Sequence, residues 1–330
     1  MMDHVLFTEP TRGGKPRMKF VKGHGAGNDF VILPDPDGSL DLTPSLVAAL
    51  CDRHRGIGAD GVLRVVRSAK HPEGEAAKTA SPYCAEKPEG EAAQTASPYC
   101  AEEPERDAAD AEWFMDYWNS DGSFAEMCGN GVRVFTRYLV ENGLATPSED
   151  GLPIATRAGV VRAVVGSPTI AVRMTTPRRY DVSTATVGSL TVPGVAVDCG
   201  NPHLVCSLSS PLDALDLHVA PGYDTALFPA GVNVSFVEGD VVECGDLRGD
   251  DLRVRMRVFE RGSGETLSCG SGALAVGAVA LHDAGLTSGV VTVDLPGGRL
   301  TVTATEDGEW WLAGPAVLVA TGEVDVAALT

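Results

Sequence analysis

Short apolar runs punctuated by Gly, Pro and Asn predict a chain in which strands and a few helices alternate. MKFVKG and NDFVIL read as strands, Thr43-Pro44 caps a helix running to about His54, and GVLRVVRS is a third, β-branched strand. WFMDYW reads as a further strand, and Cys128 opens a helix that stops at Asn142-Gly143. IATRAG, VVRAVVG and TIAVRM follow as short strands. A second series begins with HLVCSL, VNVSFVE and DLRVRMRVFER, where Leu252, Val254, Met256 and Val258 alternate with charged residues. Cys269 opens another helix, ending near Ala284-Gly285, before a hairpin (VVTVDL…RLTVTATE) and WWLAG. The stretch GALAVGAVALH is apolar on nearly every side, so strands are expected to enclose that helix.

One segment breaks this pattern. PEGEAAKTASPYCAEK (72–87) is followed at once by PEGEAAQTASPYCAEE (88–103). With almost no large aliphatic residues, residues 70–110 read as a loose insertion within a domain, neutral in function. Around it the chain shows a weak duplication. GAGNDFVIL (25–33) matches CGNPHLVCS (199–207), and MCGNGVRVF (127–135) matches SCGSGALAV (268–276). The stretch from Asn28 to Cys128 exceeds that from Asn201 to Cys269 by the length of the two repeat copies. Two similar domains are therefore expected, each ending its core element in a cysteine at a helix start.

The hydrophobic fraction of 44% and charged fraction of 22% over 330 residues describe a globular, soluble chain with no run long enough to span a membrane. Residues 1–17 hold no signal-peptide pattern and read as a leader before Met18. A net charge of −19 argues against nucleic acid as a partner. The eight cysteines include no C-x-x-C pair, so no zinc site and no redox dithiol is supported, and a reduced, cytoplasmic protein is expected.

The repeated Cys-Gly-x-Gly carries the chemistry. A cysteine at a helix N-terminus faces unpaired backbone N–H groups and the positive end of the helix dipole, which favour thiolate and predict a lowered pKa for Cys128 and Cys269. The glycines let the backbone approach a small anion closely. Two such sites would grip an α-amino acid from both sides, one sulfur removing the α-proton and the other returning one to the opposite face. Helix-start N–H groups would stabilise the charge that develops on the carboxylate. Taken singly, each feature has a plainer reading. A lone buried cysteine is usually a small hydrophobe, as expected of Cys51, Cys199, Cys206 and Cys244, and Cys84 and Cys100 lie in the insertion. His24 and His203 alone would be structural histidines, and Arg133 and Arg261 surface or ion-pair residues.

Read together, GHGAGNDF (23–30), RHRGIGADG (53–61), NSDGSFAEMCGNGVR (119–133), GNPH (200–203), GVNVSF (231–236) and FERGSGETLSCGSGA (259–273) resemble, in order, the motifs of the diaminopimelate epimerase family. The resemblance implies an α/β (α+β) fold of two pseudo-symmetric domains, each a rolled sheet around a central helix, with the active site in the interdomain cleft. It divides the chain into residues 18–175, to which the tail 318–330 returns, and 176–317. Cys128 and Cys269 would be the proton-transfer pair, with His203 and Glu260 engaging the α-ammonium or tuning the cysteines. Asn28, Asn119, Asn201, Asn233, Glu260 and Arg261 would bind substrate, and Gly129-Asn130 and Gly270-Ser271 would hold the reacting α-carboxylate. The resemblance further implies conversion of LL- to meso-diaminopimelate in the lysine and cell-wall pathway, without pyridoxal phosphate or metal, by a homodimer. Two departures stand out: Gly61 occupies a position where many relatives carry a substrate-touching Gln, and the repeat has no counterpart. A proline racemase of similar fold is the nearest rival. A nucleotide-binding module is disfavoured, because GHGAGNDF runs into a strand where a phosphate-binding loop would open a helix.

Overall fold

The computed structural model describes residues 17–77, 111–243 and 252–329. Both repeat copies beyond Ala77, the first sixteen residues, and Cys84, Cys100 and Cys244 lie outside them. The described chain forms two compact units, one of residues 17–24, 29–77, 111–165 and 316–329, the other of residues 25–28, 166–243 and 252–315. Among the described residues, no helix is long and apolar enough to cross a membrane.

In chain order the first unit contains β1 (Arg17–Gly25), β2 (Asn28–Pro34), α1 (Pro44–Cys51), β3 (Gly61–Arg67), the single-turn α2 (Gly74–Ala77), β4 (Trp113–Asn119), α3 (Gly129–Glu141), β5 (Leu152–Thr156) and β6 (Gly159–Val165). The second contains β7 (Thr169–Met174), β8 (Arg178–Val187), β9 (Leu190–Asp198), β10 (Pro202–Leu208), β11 (Gly222–Tyr223), β12 (Asn233–Glu243), β13 (Leu252–Glu260), β14 (Gly264–Thr266) and α4 (Gly270–Asp283). It ends with β15 (Gly289–Leu295), β16 (Gly298–Ala304) and β17 (Trp310–Pro315), after which β18 (Val317–Asp325) returns to the first unit and pairs antiparallel with β1.

Strand pairing makes the duplication explicit. In the first unit β2 runs parallel to β3, β3 antiparallel to β4, β4 parallel to β5, and β5 antiparallel to β6. In the second, β10 runs parallel to β12, β12 antiparallel to β13, β13 parallel to β15, and β15 antiparallel to β16. Each series is preceded by a strand paired with its first member, β1 on β2 and β9 on β10. In both series the helix that begins after a Cys-Gly lies between the third and fourth strands of this alternation, α3 before β5 and α4 before β15.

The helices are enclosed as their composition demands. α4 touches β9, β10, β12, β13, β15 and β16, and every residue from Gly272 to Leu281 is buried. α3 touches β3, β4, β5, β6 and β18. The other face of the first sheet is covered by α1, whose Val47, Leu50 and Cys51 pack with Val31, Leu33 and Val62. Burial on both faces explains why β2 is a continuous apolar run instead of an alternating one. α1 ends at Cys51, short of His54, because Asp52 turns the chain and its carboxylate accepts from the backbone N–H of His54 and Arg55. Five strands lacked a signal strong enough to be anticipated: β8 and β18 are largely exposed, β9 is only partly buried, and β11 and β14 are two and three residues long, so their pairing is set by tertiary partners.

The insertion is rooted in the fold at its start. Ala77 is buried with Val66, Ala111, Phe114 and Ala155, and the His71 ring stacks on Phe114 at 4.2 Å. The expectation of a loose segment beginning at residue 70 therefore fails through Ala77, because His71 and Ala77 supply core contacts.

Candidate active site

Each unit presents a thiol at a helix start, built the same way. Cys128 is extended (φ −141°, ψ 115°) and caps α3, its Sγ accepting the Gly131 N–H at 3.4 Å. Cys269 is extended (φ −127°, ψ 117°) and caps α4, its Sγ accepting the Gly272 N–H at 3.4 Å. The second glycine of each motif serves the sulfur directly. A Cβ on Gly272 would stand 3.3 Å from Cys269 Sγ and from Ser235 Oγ, and one on Gly131 would stand 3.4 Å from Cys128 Cβ. Larger residues would push the thiol off the helix axis.

In the first unit, Gly129 and Asn130 form the opening turn of α3 and are buried. Arg133, one turn further on, is fully buried and reaches back, donating to Asn130 Oδ1 at 2.5 Å and to the Gly129 carbonyl at 3.4 Å. The expectation that Arg133 is a surface or ion-pair residue is overturned, since strands surround α3 on the face it occupies. Asn119 closes β4 opposite Gly61, and its Nδ2 donates to Ser123 Oγ at 3.0 Å. Gly61 is itself forced: a Cβ there would lie 2.5 Å from the Trp118 carbonyl. A glutamine at that position would need the β3–β4 pairing to open.

The second unit gathers the larger set. His203 on β10 sits beside Asn233 on β12, and the Asn233 Oδ1 accepts the Arg261 N–H at 2.9 Å. His203 is fully buried with Nε2 at 3.0 Å from Asn201 Oδ1. That oxygen can only accept, so the bond fixes the Nε2–H tautomer and leaves the Nδ1 lone pair, which has no partner among the described residues, free to accept. Burial, and then the nearby Arg261 charge, push the His203 pKa down to about 3, so the imidazole is neutral. Glu260 ends β13 and accepts from the Thr266 hydroxyl on β14, a hairpin contact that holds it against Cys269. Ser271 Oγ lies 3.6 Å from Cys269 Sγ, and Arg261 donates to the Ala230 carbonyl at 3.1 Å. Asn28 follows the β1–β2 turn, where Ala26 and Gly27 both take positive φ (51° and 84°). A Cβ on Gly27 would be 3.2 Å from Leu267 Cβ, so this turn packs on the segment leading into Cys269. Sequence reasoning missed Thr266 and Ser235; only the Gly-Ser-Gly turn before Thr266 signals the hairpin that brings it back.

The expected lowering of the Cys269 pKa does not occur. Complete burial pushes its thiol well above the ordinary range, and the Glu260 charge adds to this, outweighing the Ser271 hydroxyl and the Gly272 N–H. Cys269 is therefore a thiol at neutral pH. Substituting Glu260→Gln removes one of the two upward causes, so the pH at which Cys269 becomes alkylated should fall; a midpoint unmoved or raised in peptide-resolved alkylation would show that Glu260 does not act on this sulfur. The cysteines read as structural behave so: burial pushes Cys51 and Cys206 up to about 12 and raises Cys199 as well.

The fold is shared with solved structures. A PhzF-family phenazine biosynthesis protein from Bacillus anthracis aligns with a TM-score of 0.61 at 18% identity, over 93% of this chain and 99% of that one. A hydroxyproline epimerase from Agrobacterium vitis, with bound trans-4-OH-L-proline, aligns with a TM-score of 0.53 at 15% identity, over 93% and 92%. The protein thus has the fold of the amino-acid racemases and epimerases. At sequence level, a diaminopimelate epimerase from Streptomyces coelicolor (strain ATCC BAA-471 / A3(2) / M145) is 45% identical over 321 residues, covering 94% of this chain and 96% of that relative. The family model described as diaminopimelate epimerase matches residues 20–94, 102–180 and 195–326, so the chain belongs to the diaminopimelate epimerase family and is an isomerase.

Proposed function

We propose that the protein epimerises LL-2,6-diaminopimelate to meso-diaminopimelate, exchanging one α-proton between Cys128 and Cys269. The observation that carries this reading is the identical thiol cap at two helix starts, each sulfur 3.4 Å from the N–H three residues on, in two units of matching strand order. An epimerase needs one base and one acid that exchange roles in the reverse direction, and a repeated thiol supplies both.

The raised pKa of Cys269 makes it the acid of the resting pair, which assigns the base to Cys128. The N–H groups of Gly129-Asn130 and Gly270-Ser271 receive the α-carboxylate and stabilise the charge that builds on it as the proton leaves. The free Nδ1 of neutral His203 accepts from the α-ammonium, and Glu260 holds Cys269 protonated. Asn28, Asn119, Asn201, Asn233 and Arg261 bind the substrate, chiefly its distal amino-acid head. This chemistry calls for no cofactor and no metal. The proposal extends to a cytoplasmic homodimer that supplies lysine and peptidoglycan-precursor synthesis.

In deuterated water the protein should place deuterium at one α-carbon of LL-diaminopimelate as the meso isomer forms. Exchange with proline and none with diaminopimelate would replace this reading by a proline racemase.

A further inference from the structure

The two half-sites share a backbone plan but differ in charge at two equivalent positions. In the aligned motifs MCGNGVRVF and SCGSGALAV, Arg133 of α3 corresponds to Leu274 of α4, and both are fully buried. At the strand ends, Asn119 of β4 stands where β13 places Glu260. A buried cation therefore accompanies Cys128 and a carboxylate accompanies Cys269, and each substitution breaks the duplication in the same electrical sense.

Arg133 is an unusual side chain to bury. It is the largest fully buried residue of the described chain, its Nε has no hydrogen-bond partner, and its polar contacts are the Gly129 carbonyl and Asn130 Oδ1, with no carboxylate. Burial pushes its pKa down to about 10, which still leaves it cationic at neutral pH, and the charge it interacts with is that of Cys128. The charges on the elements around α3 are committed elsewhere. On β3 and β4, Arg64 is held by Asp35 and Asp116, Arg67 by Glu112, and Asp116 also by Arg157. On β6, Arg162 donates to the Asp150 carbonyl, while Glu323 and Asp325 of β18 stand opposite Lys19 and Arg17, and β5 carries no charge. On α3 itself Arg137 faces Glu141. An unpaired buried charge is costly, and a structural need for volume would be met by an apolar residue, as Leu274 meets it in α4.

We propose that Arg133 is a positioning residue that fixes which cysteine is the base: its guanidinium holds the first turn of α3 and favours the thiolate of Cys128, so that Cys128 rests deprotonated while Cys269 rests protonated. This rests on the two-thiol reading of the site. The proton relation is simple: Cys128 loses its proton to solvent in the free enzyme, the resulting S⁻ is stabilised by the fixed positive charge, and Arg133 itself neither gives nor takes a proton.

The test follows iodoacetamide alkylation of the Cys128 and Cys269 peptides by mass spectrometry from pH 6 to 9, in the free enzyme. Replacing the guanidinium by a neutral side chain of similar length (Arg133→Met) should raise the pH midpoint of Cys128 alkylation by about one unit, slowing it by up to about tenfold on the acid side of that midpoint, and leave Cys269 unchanged. Restoring charge with Arg133→Lys should recover most of the rate. Equal slowing in the Met and Lys variants, or no slowing in a folded Met variant, would overturn the proposal. Should the Met variant fail to fold, the wild-type profile decides: Cys128 must titrate below a free thiol and below Cys269, and a Cys128 midpoint at or above the free-thiol range overturns it. Because no substrate is used, a wild-type enzyme that ignores diaminopimelate yet shows the Cys128 shift would sink the functional reading and leave this one standing.

Discussion

Replacing either Cys128 or Cys269 by Ala will lower epimerisation of diaminopimelate by about 1,000-fold or more, because each variant lacks one of the two groups that must handle the proton. Each substitution deletes one small side chain at a helix cap, where its N–H···S contact of 3.4 Å is weak, so the fold survives. The two variants should then fail differently. With Cys269→Ala, the remaining Cys128 thiolate can still remove and return the proton it faces. One diaminopimelate stereoisomer should therefore exchange its α-proton with deuterated water without inverting. With Cys128→Ala, the surviving sulfur is a buried thiol held protonated beside Glu260, and that exchange should be lost at neutral pH. Deuterium content and chirality of recovered substrate separate the two outcomes. Inversion at more than a tenth of the wild-type rate in either variant would sink the two-thiol mechanism.

What sequence could reveal followed from local pattern, and what it missed depended on enclosure. The alternation in β13 and the unbroken apolar face of α4 survive in the structure because each is decided by which side of an element meets core. The two thiol caps were legible for the same reason, since Cys-Gly-x-Gly before a helical pattern is a local signal. The protonation of Cys269 was not. The helix start argues for thiolate, and only folding shows that complete burial and a carboxylate nine positions upstream argue harder for thiol. Arg133 was misjudged on a sound rule, that arginine on a helix faces water, because nothing local says that strands close around the face of α3 it occupies. The unanticipated strands β8 and β18 are the converse: their residues are exposed enough that pairing, not burial, defines them.

Asp116→Asn should cost about 3 kcal/mol of folding stability, the size expected when one partner is removed from a buried ion cluster. Asp116 lies on β4 at 1% exposure. Its Oδ1 accepts from Arg157 Nη2 at 2.5 Å, and its Oδ2 lies 3.5 Å from Arg64 Nη1 and 3.7 Å from His71 Nε2. Arg64 retains Asp35, which is fully buried and 2.5 Å away. Arg157 is the group left exposed to the loss: its other carboxylate, Glu73, is half-exposed at 2.8 Å and makes no aligned hydrogen bond to Nε. The same guanidinium bonds the Tyr117 carbonyl at 3.0 Å and lies 4.4 Å over the Phe124 ring, on the segment that runs into Cys128. Loss of the carboxylate thus loosens the root of the insertion and the approach to the first thiol together. In urea the unfolding midpoint should drop with the slope unchanged, since the same surface is exposed on unfolding. A drop worth less than about 1 kcal/mol would mean the arginines find other acceptors, and the cluster is then no more than a set of surface pairs. The cause can be isolated by adding Arg157→Met. If the penalty arises from an uncompensated buried cation, removing that cation should restore part of the lost stability, so the double variant should be more stable than Asp116→Asn alone.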